Sequence, residues 1–176
     1  MKKIITLAGS NSKTSINKQL ANYAAHKIET AEVVSLDLND FNLPLYGIDL
    51  ENESGIPADA QRLFDAVKSS DGLVISLAEH NGSYAATFKN ALDWMSRIDG
   101  KLWSQKPMLL MATSPGGRGG QTVLTGALGA FPHLGGNIIA DFSLPSFYDN
   151  FSENGLTDAS LNEALNEKIK QLEKAL

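Results

Sequence analysis

The sequence contains no cysteine, and this absence removes several kinds of chemistry at once. Disulfide bonds, thiolate metal sites and cysteine nucleophiles are all excluded. Positive charge is also scarce, since 15 Lys and Arg residues are set against 20 Asp and Glu residues and the formal net charge is −5. Nucleic-acid binding normally needs a basic face, so this balance argues against a nucleic-acid partner.

Long apolar runs are missing as well. No apolar segment approaches the roughly 20 residues of a membrane-spanning helix. The first apolar run is interrupted at Thr6 and broken at Gly9, which makes it too short for the core of a signal peptide. We therefore expect a soluble protein of the cytoplasm with no membrane partner. The length predicts one domain over residues 1–176.

Several widespread catalytic motifs do not occur. There is no Gly-x-x-x-x-Gly-Lys loop, and no Gly-x-Gly-x-x-Gly follows the first apolar run, so nucleotide hydrolysis and a Rossmann dinucleotide site are not expected. A Gly-x-Ser-x-Gly nucleophile elbow is also absent. The three histidines, His26, His80 and His133, lack the spacing of metal ligands, and we expect no bound metal.

Short apolar runs that predict strands alternate along the chain with segments of helical periodicity. The predicted strands span residues 4–8, 32–38, 72–77, 108–113 and 137–144. Near-continuous apolar composition in the first, third and fourth is typical of strands buried on both faces, whereas alternation in the second indicates an edge strand. The pattern predicts an α/β fold, a doubly wound parallel five-stranded sheet in three layers. We expect the flavodoxin-like strand order 2-1-3-4-5.

Two features outside the strands leave alternatives open. Residues 39–55 form an unusually long connection, stiffened by Pro44, which we predict to be an irregular lid packed on the sheet edge; a functional loop is the alternative. In the helix after the third strand, Trp94 lies off the apolar stripe. It either packs into the core or faces a partner subunit.

The turn after the first strand is dense in side chains that can bind an anion. Its hydroxyl and amide residues, and the first residues of the following helix, are Ser10, Asn11, Ser12, Thr14, Ser15, Ile16 and Asn17. A helix N-terminus has free backbone N–H groups and partial positive charge, so it is a ready anion site. Helix capping accounts for one of these hydroxyls but not for all of them. We predict that this turn binds a phosphate group.

The turns after the third and fourth strands, residues 78–83 and 114–120, are also rich in Gly, Ser or Asn. In the flavodoxin-like order the first, third and fourth strands are neighbours. Ligands of such sheets bind at the carboxyl ends of the strands. We therefore expect all three turns to converge on one crevice.

The residues of these turns resemble those of the NADPH-dependent FMN reductases, a family with a flavodoxin-like fold that includes quinone, azo-dye and chromate reductases. The resemblance covers nearly the whole chain. The segments that carry it are Gly9–Leu20, Leu43–Tyr46, Glu79–Tyr84, Lys89–Trp94 and Ser114–Gly120.

The resemblance implies a bound FMN, with NADPH or NADH as co-substrate. It places the FMN phosphate on the first turn, at Ser10, Ser12, Ser15, Ile16 and Asn17. It places the isoalloxazine ring and ribityl chain along the second turn, at Glu79, His80, Asn81 and Gly82. It places the pyrimidine edge of the flavin by the third turn, at Ser114, Gly116 and Gly117. No side chain is implied as a catalytic acid or base, because the cofactor carries the chemistry.

Some positions depart from the family pattern. Many members have Arg where this sequence has Ser12, so the phosphate turn loses a charge unless Lys13 compensates. Ala78 replaces a usual Pro and His80 a usual Tyr. His80 either fills the space of that Tyr or tunes the flavin near neutral pH. Arg118 either contacts the phosphates of NAD(P)H or braces its loop or an oligomer contact.

The function implied by the resemblance is an FMN-dependent NAD(P)H oxidoreductase. It would pass a hydride from NAD(P)H, via bound FMN, to a quinone, an azo compound, a metal oxyanion or free flavin. The resemblance also implies a homodimer or homotetramer. The alternatives are a flavodoxin-type electron carrier and a flavin- or quinone-responsive redox sensor, both without turnover.

Overall fold

The computed structural model describes residues 1–176, which form nine strands and seven α-helices. The strands are β1 (Lys2–Gly9), β2 (Ala31–Leu36), β3 (Gly72–Leu77), β4 (Glu79–His80), β5 (Ser83–Tyr84), β6 (Pro107–Thr113), β7 (Asn137–Leu144), β8 (Phe151–Ser152) and β9 (Gly155–Leu156). The α-helices are α1 (Ile16–His26), α2 (Ile48–Ser54), α3 (Ala58–Lys68), α4 (Ala86–Ile98), α5 (Gln121–Ala130), α6 (Phe147–Asn150) and α7 (Ala159–Ala175). None of these helices has the length and hydropathy to cross a membrane.

Five strands pair in parallel in the order β2-β1-β3-β6-β7, and two short antiparallel hairpins, β4-β5 and β8-β9, lie outside this sheet. The order is the flavodoxin-like order predicted for the five main strands. Every residue of β3 is buried, which agrees with its continuous apolar sequence, whereas β2 is only half-buried and lies at an edge.

The core consists of two apolar layers, one on each face of the sheet. Alternate strand residues point to opposite faces, so Ile5 and Ile75 pack in one layer and Ile4 and Val74 in the other. Helices α3, α4 and α5 cover the first face, and α1 and α7 cover the second. This arrangement confirms the three-layer α/β prediction.

The prediction that residues 39–55 are irregular was wrong. The segment is not irregular throughout, since it contains α2, a helix that buries none of its side chains and therefore has no apolar periodicity to reveal it. It also packs on α4 and not only on the sheet edge, because Tyr46 stacks edge-on against Trp94 with 5.0 Å between ring centroids. The second strand ends at Leu36, two residues early, since the Asp37 side chain caps a 3₁₀ helix at Leu38–Asp40.

Trp94 takes the first of its two predicted placements. It is fully buried within this chain, and its Nε1 donates a hydrogen bond to the Pro44 carbonyl at 2.7 Å. It is therefore not available to face a partner subunit. The chain after β7 adds α6 and the β8-β9 hairpin, for which no prediction was made.

Candidate functional site

The three turns predicted to converge do meet, around a cleft of about 220 Å³ at the carboxyl ends of β1, β3 and β6. Most of the lining is polar. The lining residues are Ser10, Ser12, Thr14, Ser15, Ile16, Asn17, Ala78, Glu79, His80, Thr113, Ser114, Pro115 and Tyr148.

The first turn is braced by its own hydroxyls. Ser10 Oγ accepts a hydrogen bond from the Ser12 N–H at 3.1 Å, and Ser12 Oγ accepts one from the Thr14 N–H at 3.3 Å. Ser15 is the N-cap of α1, with its Oγ 3.1 Å from the Lys18 N. Accepting a hydrogen bond uses a lone pair of the oxygen, so the hydroxyl hydrogens of Ser10 and Ser15 remain free to donate to a ligand. Capping and anion binding are therefore compatible in this turn.

The start of α1 supplies two further donors. The backbone N–H groups of Ile16 and Asn17 lie in the first helical turn and have no hydrogen-bond partner within the chain. No acidic side chain occupies this turn. Unpaired N–H groups at the positive end of a helix dipole favour an anion.

The side chain of Asn17 has a structural task. Its Oδ1 accepts hydrogen bonds from the Ser76 hydroxyl at 2.7 Å and from the Thr113 N–H at 3.0 Å, and its Nδ2 donates to the Thr113 carbonyl at 3.1 Å. All three residues are buried. The amide thus joins α1 to the ends of β3 and β6, which leaves the backbone N–H of Asn17, and not its side-chain oxygen, for a ligand.

No Lys or Arg lines the cleft. Lys13 is exposed beside it, and Lys18 forms an ion pair with Asp37 at 2.6 Å. Burial opposes ionisation of Asp37, but hydrogen bonds from Lys18 and Asn39 outweigh it and lower the pKa of this carboxyl. Asn39 also donates to the Asn11 carbonyl at 3.1 Å, so the segment after β2 supports the first turn.

The second turn is the β4-β5 hairpin. Asn81 and Gly82 occupy its tip with φ values of 52° and 75°, the pattern of a type I′ hairpin turn. His80 lines the cleft, and its exposed side chain makes no hydrogen bond within the chain. Glu79 also lines the cleft, and its Oε2 accepts a hydrogen bond from the Val123 N–H of α5 at 2.9 Å. Asn81 and Gly82 do not line the cleft.

The third turn uses its glycines in two ways. Gly119 and Gly120 have positive φ values of 58° and 72°, and a Cβ on Gly119 would lie 2.5 Å from Ser143 Oγ. These two glycines are required by the fold. A Cβ on Gly116 or Gly117 would meet no atom closer than 3.9 Å. Gly116 and Gly117 are exposed and lie outside the cleft lining, whereas Ser114 belongs to it.

Arg118 also lies outside the cleft lining. Its Nη2 donates to the Thr122 hydroxyl at 2.8 Å, one helical turn further along. In this structure the side chain therefore braces the start of α5, which is one of its two predicted roles.

Two cleft residues were not predicted. Thr113 closes the end of β6 and donates its hydroxyl hydrogen to the Leu144 carbonyl at 2.7 Å. Tyr148 belongs to α6, is 71% exposed and lines the cleft from the side of β7. The rule that ligands bind at the carboxyl ends of the strands applies to the turn after the fifth strand as well, and would have indicated this segment.

The comparison with known proteins agrees with this architecture. The NADPH-dependent FMN reductase family matches residues 2–149. A quinone reductase of Escherichia coli (strain K12) is 36% identical over 121 residues, which cover 66% of this chain and 62% of that protein. A 2-hydroxy-1,4-benzoquinone reductase of Burkholderia sp is 37% identical over 119 residues, which cover 66% of this chain and 63% of that protein. This chain thus matches less than two thirds of the length of either relative.

Among solved structures, the flavoenzyme NAD(P)H:(acceptor) oxidoreductase FerB from Paracoccus denitrificans is similar over 99% of both chains. Its TM-score is 0.74 and its sequence identity 26%. The family match covers β1 to α6, and with it all three turns of the cleft. This chain belongs to the NADPH-dependent FMN reductase family.

Proposed function

We propose that the cleft binds FMN and that the protein is an NAD(P)H-dependent oxidoreductase that reduces quinones. The observation that carries the proposal is the donor set at the start of α1, where the N–H groups of Ile16 and Asn17 are unpaired beside the hydroxyls of Ser10 and Ser15. A phosphate group satisfies such a set. Family membership and the activities of the similar proteins support the same assignment.

The residues of the cleft fit FMN. Neutral donors of the first turn would hold the phosphate, namely Ser10, Ser12, Ser15, Ile16 and Asn17. The ring system would lie between the hairpin at His80 and the third turn at Ser114, with Tyr148 at its edge. The open space at Gly116 and Gly117 leaves their backbone accessible to the pyrimidine edge, and the turn at Asn81 and Gly82 would approach from the other side.

When bound, FMN supplies two-electron chemistry, since it accepts a hydride and passes electrons to an acceptor. The chain contributes binding, orientation and electrostatics. Backbone N–H groups near the polar edge of the ring system would stabilise negative charge there without supplying a proton. No side chain of the cleft needs to act as a strong acid or base. The exposed side chain of His80 would lie beside the ring system, where it either fills the space of the usual Tyr or tunes the flavin.

The two substrates would use the cleft in turn. NADPH or NADH would supply the hydride, and Arg118 would exchange its hydrogen bond with Thr122 for a phosphate of this nucleotide. A quinone would then bind in the same place. Azo compounds, metal oxyanions and free flavin are further acceptors, because an exposed flavin face discriminates weakly between planar or small oxidants. We further propose a single domain over residues 1–176 that works in the cytoplasm as a homodimer or homotetramer.

The absorbance spectrum of the purified protein tests the proposal, first as isolated and then after anaerobic addition of NADPH. We expect a flavin band, present on isolation or after FMN is added, that bleaches with NADPH and returns with a quinone. A flavin band that both NADPH and NADH leave intact would favour the electron carrier or the redox sensor. Failure to take up FMN would overturn the assignment of the cleft.

A further inference from the structure

Helix α5 begins without a cap from its own sequence. Its N-cap is Gly120, which has no side chain, and its first turn contains no acidic residue. The missing acceptor comes from another element, since Glu79 Oε2 lies 2.9 Å from the Val123 N. A carboxylate at this position satisfies an N-terminal N–H group and complements the helix dipole.

This hydrogen bond joins two walls of the cleft. Glu79 and His80 lie on one wall, at the hairpin. Helix α5 continues directly from the third turn, whose residues Ser114 and Pro115 lie on the opposite wall. Gly119 is fixed in its turn by the Ser143 hydroxyl, which donates to the Gly119 carbonyl at 2.9 Å. The third turn and the start of α5 are therefore anchored to β7, and Glu79 ties the hairpin to them.

No other side chain of the hairpin forms a hydrogen bond that ties the hairpin to its surroundings. Among residues 79–84, Glu79 alone forms a side-chain hydrogen bond with another element. Tyr84 contributes apolar contacts at the far end, with its ring 6.3 Å from that of Phe131. Gly82 at the tip is exposed. The near end of the hairpin, which borders the cleft, thus has one side-chain hydrogen bond to another element.

We infer that Glu79 is a positioning residue that sets the separation of the hairpin and the third turn, and thereby the fit of FMN between them. The inference rests on the proposed function. It differs from the role implied by family resemblance, in which Glu79 lies along the flavin as a contact. In the positioning role the carboxylate acts through its hydrogen bond to α5. The length of the side chain, which we call its reach, then matters more for FMN binding than its charge does.

Two conservative variants separate reach from charge. Glu79→Gln keeps the length and an oxygen that accepts the Val123 N–H, but loses the charge. Glu79→Asp keeps the charge and is one methylene too short. We expect FMN to bind Glu79→Gln within about twofold of the wild type and Glu79→Asp about tenfold more weakly, as for the loss of one hydrogen bond. Fluorescence quenching of FMN measures both affinities.

A spectroscopic signature distinguishes positioning from general destabilisation. The visible circular dichroism of bound FMN reports its asymmetric surroundings, and we expect it to change in Glu79→Asp and not in Glu79→Gln. The matched control is Asp158→Ala, which removes the N-cap of α7, where Asp158 Oδ1 accepts the Leu161 N–H at 2.9 Å. That cap lies outside the cleft, so the control should lose stability without changing FMN affinity or its spectrum.

Two results would overturn the inference. One is a weakening in Glu79→Gln equal to or greater than that in Glu79→Asp, which would show that the charge matters at least as much as the reach. The other is wild-type binding in Glu79→Asp. If the wild type binds no FMN, the proposed function fails instead. The hydrogen bond is still measurable then, because amide exchange at Val123 in the FMN-free protein should be faster in Glu79→Asp than in Glu79→Gln.

Discussion

Asn17 shows how one buried amide can organise a binding site without contacting the ligand through its side chain. Three hydrogen bonds from this residue hold Ser76 and Thr113, and so fix the ends of β3 and β6 relative to the start of α1. These three elements form the floor of the cleft. The unpaired N–H of Ile16 is therefore held in place by a rigid part of the structure.

Replacing this amide should be costly. In Asn17→Ala the Thr113 N–H and carbonyl and the Ser76 hydroxyl lose their partners in a buried place, and we expect the free energy of unfolding to fall by about 2–4 kcal/mol. Urea unfolding measures the change. Asn11→Ala is the control, since Asn11 is exposed and its side chain makes no hydrogen bond within the chain, so it should stay within about 0.5 kcal/mol of the wild type. A loss below about 0.5 kcal/mol in Asn17→Ala would contradict this account.

At the scale of elements, the segment Lys89–Trp94 has a defined task. Asn90 accepts the Tyr46 N–H at 2.8 Å and donates to the Pro44 carbonyl at 3.0 Å, and Trp94 Nε1 donates to the same carbonyl. One turn further on, Arg97 pairs with Glu51 at 2.8 Å. Successive turns of α4 thus hold the chain between β2 and α3. This contact gives the Leu43–Tyr46 and Lys89–Trp94 resemblances a common structural reason.

Two Trp→Phe changes test this contact. Trp94→Phe removes the indole N–H that holds Pro44, whereas Trp103→Phe removes an N–H that is buried without a partner. Both side chains are fully buried, so the packing costs are similar. We expect Trp94→Phe to lose about 1 kcal/mol more than Trp103→Phe, because it alone breaks a hydrogen bond.

Limited proteolysis followed by mass spectrometry reads the same contact locally. Cleavage between residues 42 and 50 should become faster in Trp94→Phe and stay unchanged in Trp103→Phe. Equal stability losses and equal cleavage in the two variants would show that α4 does not hold this segment through the indole.

Substitutions at two glycines of the third turn should separate effects on folding stability from effects on FMN binding. Gly119→Ala places a methyl group 2.5 Å from Ser143 Oγ at a positive φ, so we expect a loss of at least about 2 kcal/mol in the free energy of unfolding. Gly117→Ala meets open space at an ordinary φ and should leave stability within about 0.5 kcal/mol. Thermal unfolding measures both.

If the FMN ring approaches Gly117, the added methyl group should weaken FMN binding in Gly117→Ala while the protein stays folded. Titration with FMN monitored by fluorescence gives the affinity. Unchanged affinity would show that the pyrimidine edge of the flavin does not approach Gly117.

At the scale of the whole molecule, the scarcity of positive charge distinguishes this site from phosphate sites that are built on Lys or Arg side chains. The net charge is −5, and the cleft is lined by no Lys or Arg. A phosphate here would be held by hydroxyls, unpaired N–H groups and a helix dipole. These are short-range contacts to neutral groups, and salt screens them less than it screens long-range attraction between full charges.

FMN affinity should therefore respond weakly to salt. Between about 0.02 M and about 0.5 M NaCl we expect the Kd to change by less than about threefold, because no ion pair to the phosphate is available for screening. Lys13→Ala is the matching variant and should bind FMN nearly as well as the wild type. A rise of more than about tenfold in Kd with salt, abolished in Lys13→Ala, would show that Lys13 replaces the missing cation.

Prediction from the sequence succeeded where composition and local pattern decide the outcome. The continuous apolar runs of β1, β3 and β6 determine strands buried on both faces, and five strands joined by helices favour the order that the sheet has. The polar turns after these strands then necessarily share one edge. The N-cap of α7 is equally local, because the Asp158 side chain accepts the N–H of Leu161, three residues further on.

Contacts between distant residues were decided only by the tertiary structure. Helix α2 buries no side chain, so no periodicity marks it, and Glu51 stabilises it through Arg97 on another helix. From the sequence, Trp94 could either pack into the core or face a partner subunit. Its hydrogen bond to the Pro44 carbonyl, a contact between distant residues, goes with the first placement. Glu79 and Asn17 could be assigned to the cleft from the sequence, but their partners, Val123 and Thr113, lie 44 and 96 residues away. The sequence determined which turns surround the site; the packing of those turns determined which of their atoms remain free for a ligand.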